Sequence, residues 1–321
     1  MPSCMANTAT QDHIKPTKEQ WNQCLDPGEE PTFYLSVVLV TRMDDYAGNQ
    51  HHRLQNFIDS TYLLAEHTKE KIELLMVEWN PPKDKRRVID TFRFRRSKYL
   101  KYRIITISKE LHDVVPNIGN APLHEFEGKN AGIRFARGEF VVCTNQDDIW
   151  SHNFHKAVKS RVFKKNFIYL QHQDHHNILD AQTYGEYELP EPYAVTPQNY
   201  LFVGDQAGDF TMAHRDTWKV PRGYRETGGV AWMDIEFIAT ATWTFDIPVV
   251  HSPRGFACHQ EHANVWEAAK ERHTNNSGIV AQEIMEKKTS YYNEDGKWGL
   301  QQYDIWGLGL GCVEFQGGLC W

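Results

Sequence analysis

No stretch of this sequence approaches the roughly 18 consecutive apolar residues of a membrane span, so no spanning helix is expected. The first twenty residues, MPSCMANTATQDHIKPTKEQ, lack an apolar core long enough for a signal peptide, and the expectation is a cytoplasmic protein. Cysteine is sparse: Cys4, Cys24, Cys143, Cys258, Cys312 and Cys320, with no Cys-x-x-Cys pair. These read as reduced thiols, with Cys312 and Cys320 the only plausible local pair. An excess of positive charge is also missing. Thirty-five Lys and Arg face 42 Asp and Glu, a net −7, which argues against nucleic acid as a partner of the whole molecule. There is no internal repeat and no low-complexity tract. One glycosylation sequon, Asn275-Asn276-Ser277, stands without a secretion signal and reads as chance.

What is present suffices for a real core: 321 residues, 40% of them hydrophobic and 12% aromatic, in one or two domains. Residues 1–31 are polar, with Pro16, Pro27 and Pro31, and read as a tail or a strap. Tyr34 to Val40 is a β-branched run and the first buried strand. From Asn49 to His67 apolar residues fall at helical spacing: Leu54, Phe57, Ile58, Tyr62 and Ala65. Ile72 to Val77 is a second strand, ended by Pro81 and Pro82. Lys83 to Arg103 holds ten basic residues among 21, a possible nucleic-acid face that reads better as a solvated helix and loop in an acidic chain. A third strand spans Arg103 to Ile107, and Leu111 to Leu123 reads as a loop. A helix covers Glu127 to Arg137, with Gly138 as its stop. Later strands are expected at Phe167 to Leu170, Phe210 to Ala213 and, last, Ile247 to Val250. Helices are expected at Asp234 to Thr244 and Val265 to Arg272. Between them, Gln171 to Tyr200 is a long polar segment, a functional loop or a mobile one. This alternation argues a doubly wound α/β sheet.

The chain is organised around GEFVVCTNQDDIW, Gly138 to Trp150. A buried strand runs directly into a polar, acidic corner. Ligands of open α/β sheets lie outside the carboxyl ends of such strands. The adjacent carboxylates of Asp147 and Asp148 repel each other unless a cation stands beside them. Mg²⁺ is commonly held by one or two carboxylates together with substrate phosphates. The bland alternative is an Asn/Asp turn that caps the next helix.

Three segments give the constellation a family look: LSVVLVTR from Leu35, ELLMVEWNPP from Glu73 and KNAGIRFARGEFVVCTNQDD from Lys129. With Gly208-Asp209-Phe210-Thr211, Trp218, Arg222-Gly223-Tyr224, Asp234 and His259-Gln260-Glu261-His262 in that order, the chain resembles the family-two-like glycosyltransferases of GT-A fold over residues 33 to 265. The resemblance implies a mostly parallel, Rossmann-like central sheet flanked by helices. It implies a GT-A domain at 32–275, a tail at 1–31 and an extension packing on the domain at 276–321. It implies a hexosyl- or pentosyltransferase that uses a nucleotide-diphosphate sugar donor and a glycan or other hydroxyl acceptor. Thr41 and Arg42 would lie by the nucleotide, and Glu78 where the family often has an aspartate that reads the base. Lys129 and Asn130 would flank the diphosphate or ribose, and Gly208 and Asp209 would also line the donor site. Asn145 to Asp147 match the Asp-x-Asp position, with Asn145 in place of the first carboxylate. Asp147, Asp148 and His262 would hold Mn²⁺ or Mg²⁺. Two departures bear on function: Glu-Trp-Asn-Pro after the second strand leaves the base open, and Asn145 removes a metal ligand.

The chemistry requires such residues independently of any family. A departing nucleoside diphosphate gathers negative charge, which a cation stabilises most in the transition state. The acceptor hydroxyl loses a proton as it attacks, and a carboxylate within reach serves as base. Asp234 is the candidate, its alternative role being a first-turn carboxylate suited to the helix dipole, with Glu236 the weaker candidate for the base. His259 and His262 beside Glu261 would complete a metal shell, imidazole suiting Mn²⁺ or Zn²⁺. His172 to His176 is a rival cluster without further ligands at fixed spacing. Trp150, Trp218 and Trp232 read as core, though Trp232 would suit a sugar face. Two other functions stay open: a nucleotidyltransferase, against which only Gly48 lies between Thr41 and Asn49 where a Gly-rich basic loop belongs, and a non-catalytic sugar- or nucleic-acid-binding module.

Overall fold

The structure is a computed structural model that describes residues 16–117, 120–171, 174–176, 195–196, 198–199, 204, 207–228, 233–252, 255–263, 277–287 and 291–318. The β-branched run from the sequence becomes β1 (Phe33–Thr41), followed by α2 (Gln50–Thr68), β2 (Ile72–Trp79), α3 (Val88–Thr91) and β3 (Leu100–Ile107). α5 (Glu125–Phe135) feeds β4 (Gly138–Thr144), the strand of the central motif. These four strands are parallel neighbours in the order β3-β2-β1-β4. Their residues are buried on both faces, which is why they read as continuous apolar runs. β8 (Phe210–His214) pairs antiparallel with β4, and β6 (Ile168–Gln171) and β9 (Val249–Ser252) extend the sheet beyond it. The result is the expected architecture, a mostly parallel sheet flanked by helices. One face carries Val38, Val40, Val77, Ile105 and the helix α5, and the other carries Leu39, Met76, Ile104 and the helix α2.

Register sets the site. Thr41 lies beside Glu78, and Glu78 beside Thr106, so the carboxyl ends of β1, β2 and β3 form one edge together with the end of β4. Close approach of α5 to β1 depends on two glycines: a Cβ at Gly128 would meet the Val40 side chain at 2.7 Å, and one at Gly132 would strike Val38. β5 (Asp148–Trp150) leaves the corner and pairs with β10 (Ala257–Gln260), which also pairs with β7 (Asp174–His176).

Several sequence expectations need correction. The strand expected last is followed by β10 and by β11 (Gly311–Phe315), which adds antiparallel to the β3 edge. The loop expected from Leu111 begins inside a helix, α4 (Lys109–Val114), whose Ser108 Oγ accepts from the Leu111 N–H; the Ser-x-x-Leu start was the missed signal. The polar amino-terminal segment contains a helix, α1 (Lys18–Leu25), closed by a Thr17–Gln20 capping box, with Trp21, Cys24 and Leu25 buried. Cys24 and Cys312 are not reduced: they are joined as a disulfide across 288 residues, tying α1 to β11. The argument for a reducing compartment therefore fails for these two, since such bonds persist in oxidising surroundings. Cys143 and Cys258 are buried thiols outside that disulfide, and Cys4 and Cys320 lie outside the described residues. The basic run is largely paired: Arg93 and Arg95 with Asp59, Arg87 with Glu78, Lys101 with Glu314, and the buried Arg103 with Glu73. The helix expected at 265–272, Trp232 and most of the 171–200 segment lie outside the described residues. No helix among the described residues is long and apolar enough to cross a membrane.

Candidate active site

The corner after β4 is built by its own polar atoms. Asp148 Oδ2 accepts from Thr144 Oγ1 at 2.6 Å and from the Asn145 N–H at 3.1 Å, which folds the chain back on itself. Asp148 thus closes a turn, but it caps no helix: it opens β5, and the next helix is capped by Ser151. β10 pairs in a register that sets His259 opposite Asp148. His259 Nδ1 stands 3.6 Å from Asp148 Oδ1, 3.8 Å from Asp147 Oδ1 and 3.2 Å from Asp209 Oδ2. His262 Nε2 lies 3.3 Å from Asp147 Oδ2 and 3.1 Å from His259 Nε2.

Electrostatics follow from this crowding. Burial, and then Asp209, push Asp148 up to about 7. Burial opposes a charged His259, but its hydrogen bonding to the carboxylates of Asp148 and Asp209 prevails and pushes it up to about 12. Burial also opposes a charged Asp147, yet His262, His259 and Arg53 together hold it below the usual carboxylate range. Two sets of atoms are close enough to share one ion: Asp147, His259 and His262, and Asp148, Asp209 and His259. The donors fit a divalent ion, for a carboxylate with two imidazoles suits Mn²⁺ better than Mg²⁺, which prefers oxygen. In the second set the buried Asp148 Oδ1 has the His259 ring facing it, at 3.6 Å.

Asn145 turns towards β8 and gives its amide to Asp209. Its carbonyl accepts from Lys129 Nζ at 3.2 Å, and the same ammonium donates to the Gly208 carbonyl at 3.1 Å. Lys129 is buried; burial alone would lower it, but Glu125, 2.6 Å away, raises it above its ordinary value. Lys129 thus clamps Asn145 to the Gly208-Asp209 turn. Gly208 borders Asp234, whose Oδ2 would be 3.1 Å from a Cβ placed there. Asp234 sits in the first turn of α8 (Met233–Trp243), partly exposed yet deep enough that burial pushes it up to about 6. Glu236 is occupied by a salt bridge to Arg225 and is buried.

On the other side of the corner, Thr41 Oγ1 donates to Gln146 Oε1 at 2.6 Å, and Gln50 joins the same oxygen at 2.7 Å. Arg42 bonds the Asn80 carbonyl and Asp44. Glu78 is saturated: Arg87, the Val88 N–H and Thr106 donate to it. Arg42, Asn80, Lys83, Arg87, Thr106 and Lys109 line a cleft of about 710 Å³ over these strand ends. Asn130 lies apart from the corner. Its amide holds the 224–226 segment through the Tyr224 backbone and Glu226.

Sequence reasoning missed Arg53. Its Nη1 donates to Asp147 Oδ2 at 2.6 Å, and both side chains are only 4% exposed. A signal existed: Gln50 and Arg53 occupy the side of α2 where the stripe through Leu54, Phe57 and Thr61 calls for apolar residues. Gln260, to which the sequence assigned no role of its own, donates to the backbone carbonyls of both Arg53 and Asp147.

No protein-family model matches the chain, and no curated protein matches its sequence. Among the solved structures to which it is similar are a galactosyltransferase, a mannosyltransferase and TarS. S. aureus TarS 1–349 is 12% identical with a TM-score of 0.45, over 78% of this chain and 69% of that one. The mannosyltransferase PcManGT from Pyrobaculum calidifontis, in complex with GDP-Man and Mn²⁺, is 15% identical with a TM-score of 0.43, over 79% and 63%. The catalytic domain of Drosophila β1,4-galactosyltransferase 7, in complex with xylobiose, is 11% identical with a TM-score of 0.40, over 78% and 79%. The likeness is one of chain course and says nothing of substrates.

Proposed function

We propose that the chain is a glycosyltransferase that passes a hexosyl or pentosyl group from a nucleotide-diphosphate sugar to an acceptor hydroxyl, with inversion, residues 32–275 being its GT-A unit. The observation that carries this reading is the sequence of features along one sheet edge. The cleft over β3, β2 and β1 comes first, then Thr41 and the Asp/His corner after β4, then Gly208 with Asp234. A nucleoside in the cleft sets its diphosphate at the corner and its sugar before Asp234. An ion such as Mn²⁺ on Asp147, His259 and His262 would supply positive charge against the departing diphosphate. Lys129 keeps Asn145 and the Gly208-Asp209 turn in place, so the edge is preformed. Asp234, raised to about 6, remains ionised at neutral pH and is basic enough to take the acceptor proton. One base without a protein nucleophile gives inversion. Asn130 serves the reading by fixing the segment that approaches α8, rather than by touching the donor.

Thermal unfolding with UDP, GDP and nucleoside triphosphates, with and without Mn²⁺, tests this. A true ligand at 100 times its Kd adds about 2.7 kcal/mol. A diphosphate shift enlarged by Mn²⁺ is expected. A shift with triphosphates alone would indicate a nucleotidyltransferase, and no nucleotide effect would overturn the reading.

A further inference from the structure

We infer that Arg53 holds the place of the metal on Asp147 and thereby couples metal binding to the arrival of the diphosphate. The inference rests on the transferase reading above. Arg53 is held from both sides. Its Nη2 donates to the carbonyls of Tyr46 and Gly48, the latter at 2.9 Å, while Nη1 donates to Asp147 Oδ2 at 2.6 Å. Its Nε makes no hydrogen bond. Gln260 fixes the backbone on each side of the pair, at 3.0 Å from the Arg53 carbonyl and 3.0 Å from that of Asp147. Only the side chains are therefore free to adjust.

The pair competes with a metal for one carboxylate. The atoms that would hold an ion include an oxygen of Asp147 along with nitrogens of His259 and His262. His262 Nε2 reaches the same Oδ2 that Arg53 occupies. A divalent ion placed there stands against a buried guanidinium, and the two cations compete for the one carboxylate of Asp147. A nucleoside diphosphate brings the missing charge. With it present, Arg53 can turn from Asp147 to a phosphate oxygen, for which its fork is suited, and the carboxylate passes to the metal. Tyr46 links this exchange to the site rim, since its carbonyl holds Arg53 while its ring packs edge-on to His262 at 5.7 Å. By linkage the effect is reciprocal: the metal must strengthen diphosphate binding as much as the diphosphate strengthens metal binding.

Calorimetric titration of MnCl₂, with free Mn²⁺ followed by electron paramagnetic resonance, reads the coupling without any turnover. In the parent, saturating UDP or GDP is expected to raise Mn²⁺ affinity by about tenfold or more, within the usual range for coupled sites. Arg53→Met is expected to bind Mn²⁺ alone about tenfold more tightly than the parent, and to lose most of the nucleotide effect. Arg53→Lys keeps one charge but cannot bridge both carbonyls, so it should fall between; it also serves if circular dichroism shows Arg53→Met unfolded. Equal Mn²⁺ affinity in parent and variants, or full coupling in Arg53→Met, overturns the inference while leaving the transferase reading intact. If no protein binds Mn²⁺, with or without nucleotide, the inference is overturned, and diphosphate binding alone then decides the transferase reading.

Discussion

Replacing Asp147 by alanine removes the anionic half of a buried pair and leaves the other half in place. Relief of repulsion between Asp147 and Asp148 is what the sequence alone suggests, and on that basis the variant should be no less stable than the parent. The structure reverses the sign. Arg53, with a side chain only 4% exposed, would lose its one carboxylate. Breaking a buried pair by removing one partner costs about 3–5 kcal/mol, because the remaining charge is desolvated and uncompensated. The relief term is small by comparison, since Asp147 is already held ionised by His262, His259 and Arg53. Against a total stability of about 5–15 kcal/mol the loss is large. With a urea slope of about 3 kcal/mol per M, it amounts to a midpoint lower by about 1–1.7 M. Urea unfolding followed by tryptophan fluorescence measures it, with Arg53→Met and the double variant completing a cycle. The double variant, with neither charge, should recover most of the loss. A stability for Asp147→Ala within about 0.5 kcal/mol of the parent would refute the buried pair, since surface positions behave that way.

Asp234→Asn should keep donor affinity by calorimetry while turnover falls by about 10²–10⁴, the usual worth of a general base. kcat and kcat/KM would fall together, and NMR of the product should show an inverted anomeric centre; near-normal turnover or retention would exclude Asp234 as the base. Glu127 is pushed up to about 8 by burial and then by Glu226, from an ordinary 4.5. The folded protein thus keeps a proton that the unfolded chain releases, so stability falls as pH rises from about 4.5 to 8 and levels off above that. Glu127→Gln can still accept from the Gly228 N–H and should flatten urea midpoints between pH 5 and pH 8; an unchanged slope would place the titration elsewhere. Cys24→Ser opens a cross-link that spans 288 residues. Native disulfides are typically worth about 2–4 kcal/mol, so the thermal midpoint should drop, and dithiothreitol should lower the parent but not the variant.

The parts of the fold that the sequence made legible are those whose causes are local. β1, β2 and β4 are buried on both faces, so each stands out as an unbroken apolar run, and parallel pairing then sets Thr41, Glu78 and the acidic corner on one edge. What stayed illegible depends on distant partners. Glu78 looks like a base reader until Arg87, Val88 and Thr106 occupy its oxygens. Asn130 looks like a donor contact until Tyr224 and Glu226 take up its amide. His259 was legible as a possible metal ligand, but its carboxylate partners were not: they come from the register that places β10 against Asp148, more than a hundred positions earlier. Arg53 is the intermediate example, and the most instructive. Its partner is 94 positions away, yet a charged residue inside the apolar stripe of α2 already demands a buried counter-charge. The acidic corner demands a cation for the same reason. Two unmet charges of opposite sign in one doubly wound sheet, one opening the helix after β1 and one closing β4 beside it, have a single economical solution, and the structure adopts it. On the proposed reading the same pair serves binding: a site that takes up a divalent ion and a diphosphate would need its carboxylate kept ionised and correctly placed beforehand. Arg53 would do both, and would then have to be displaced.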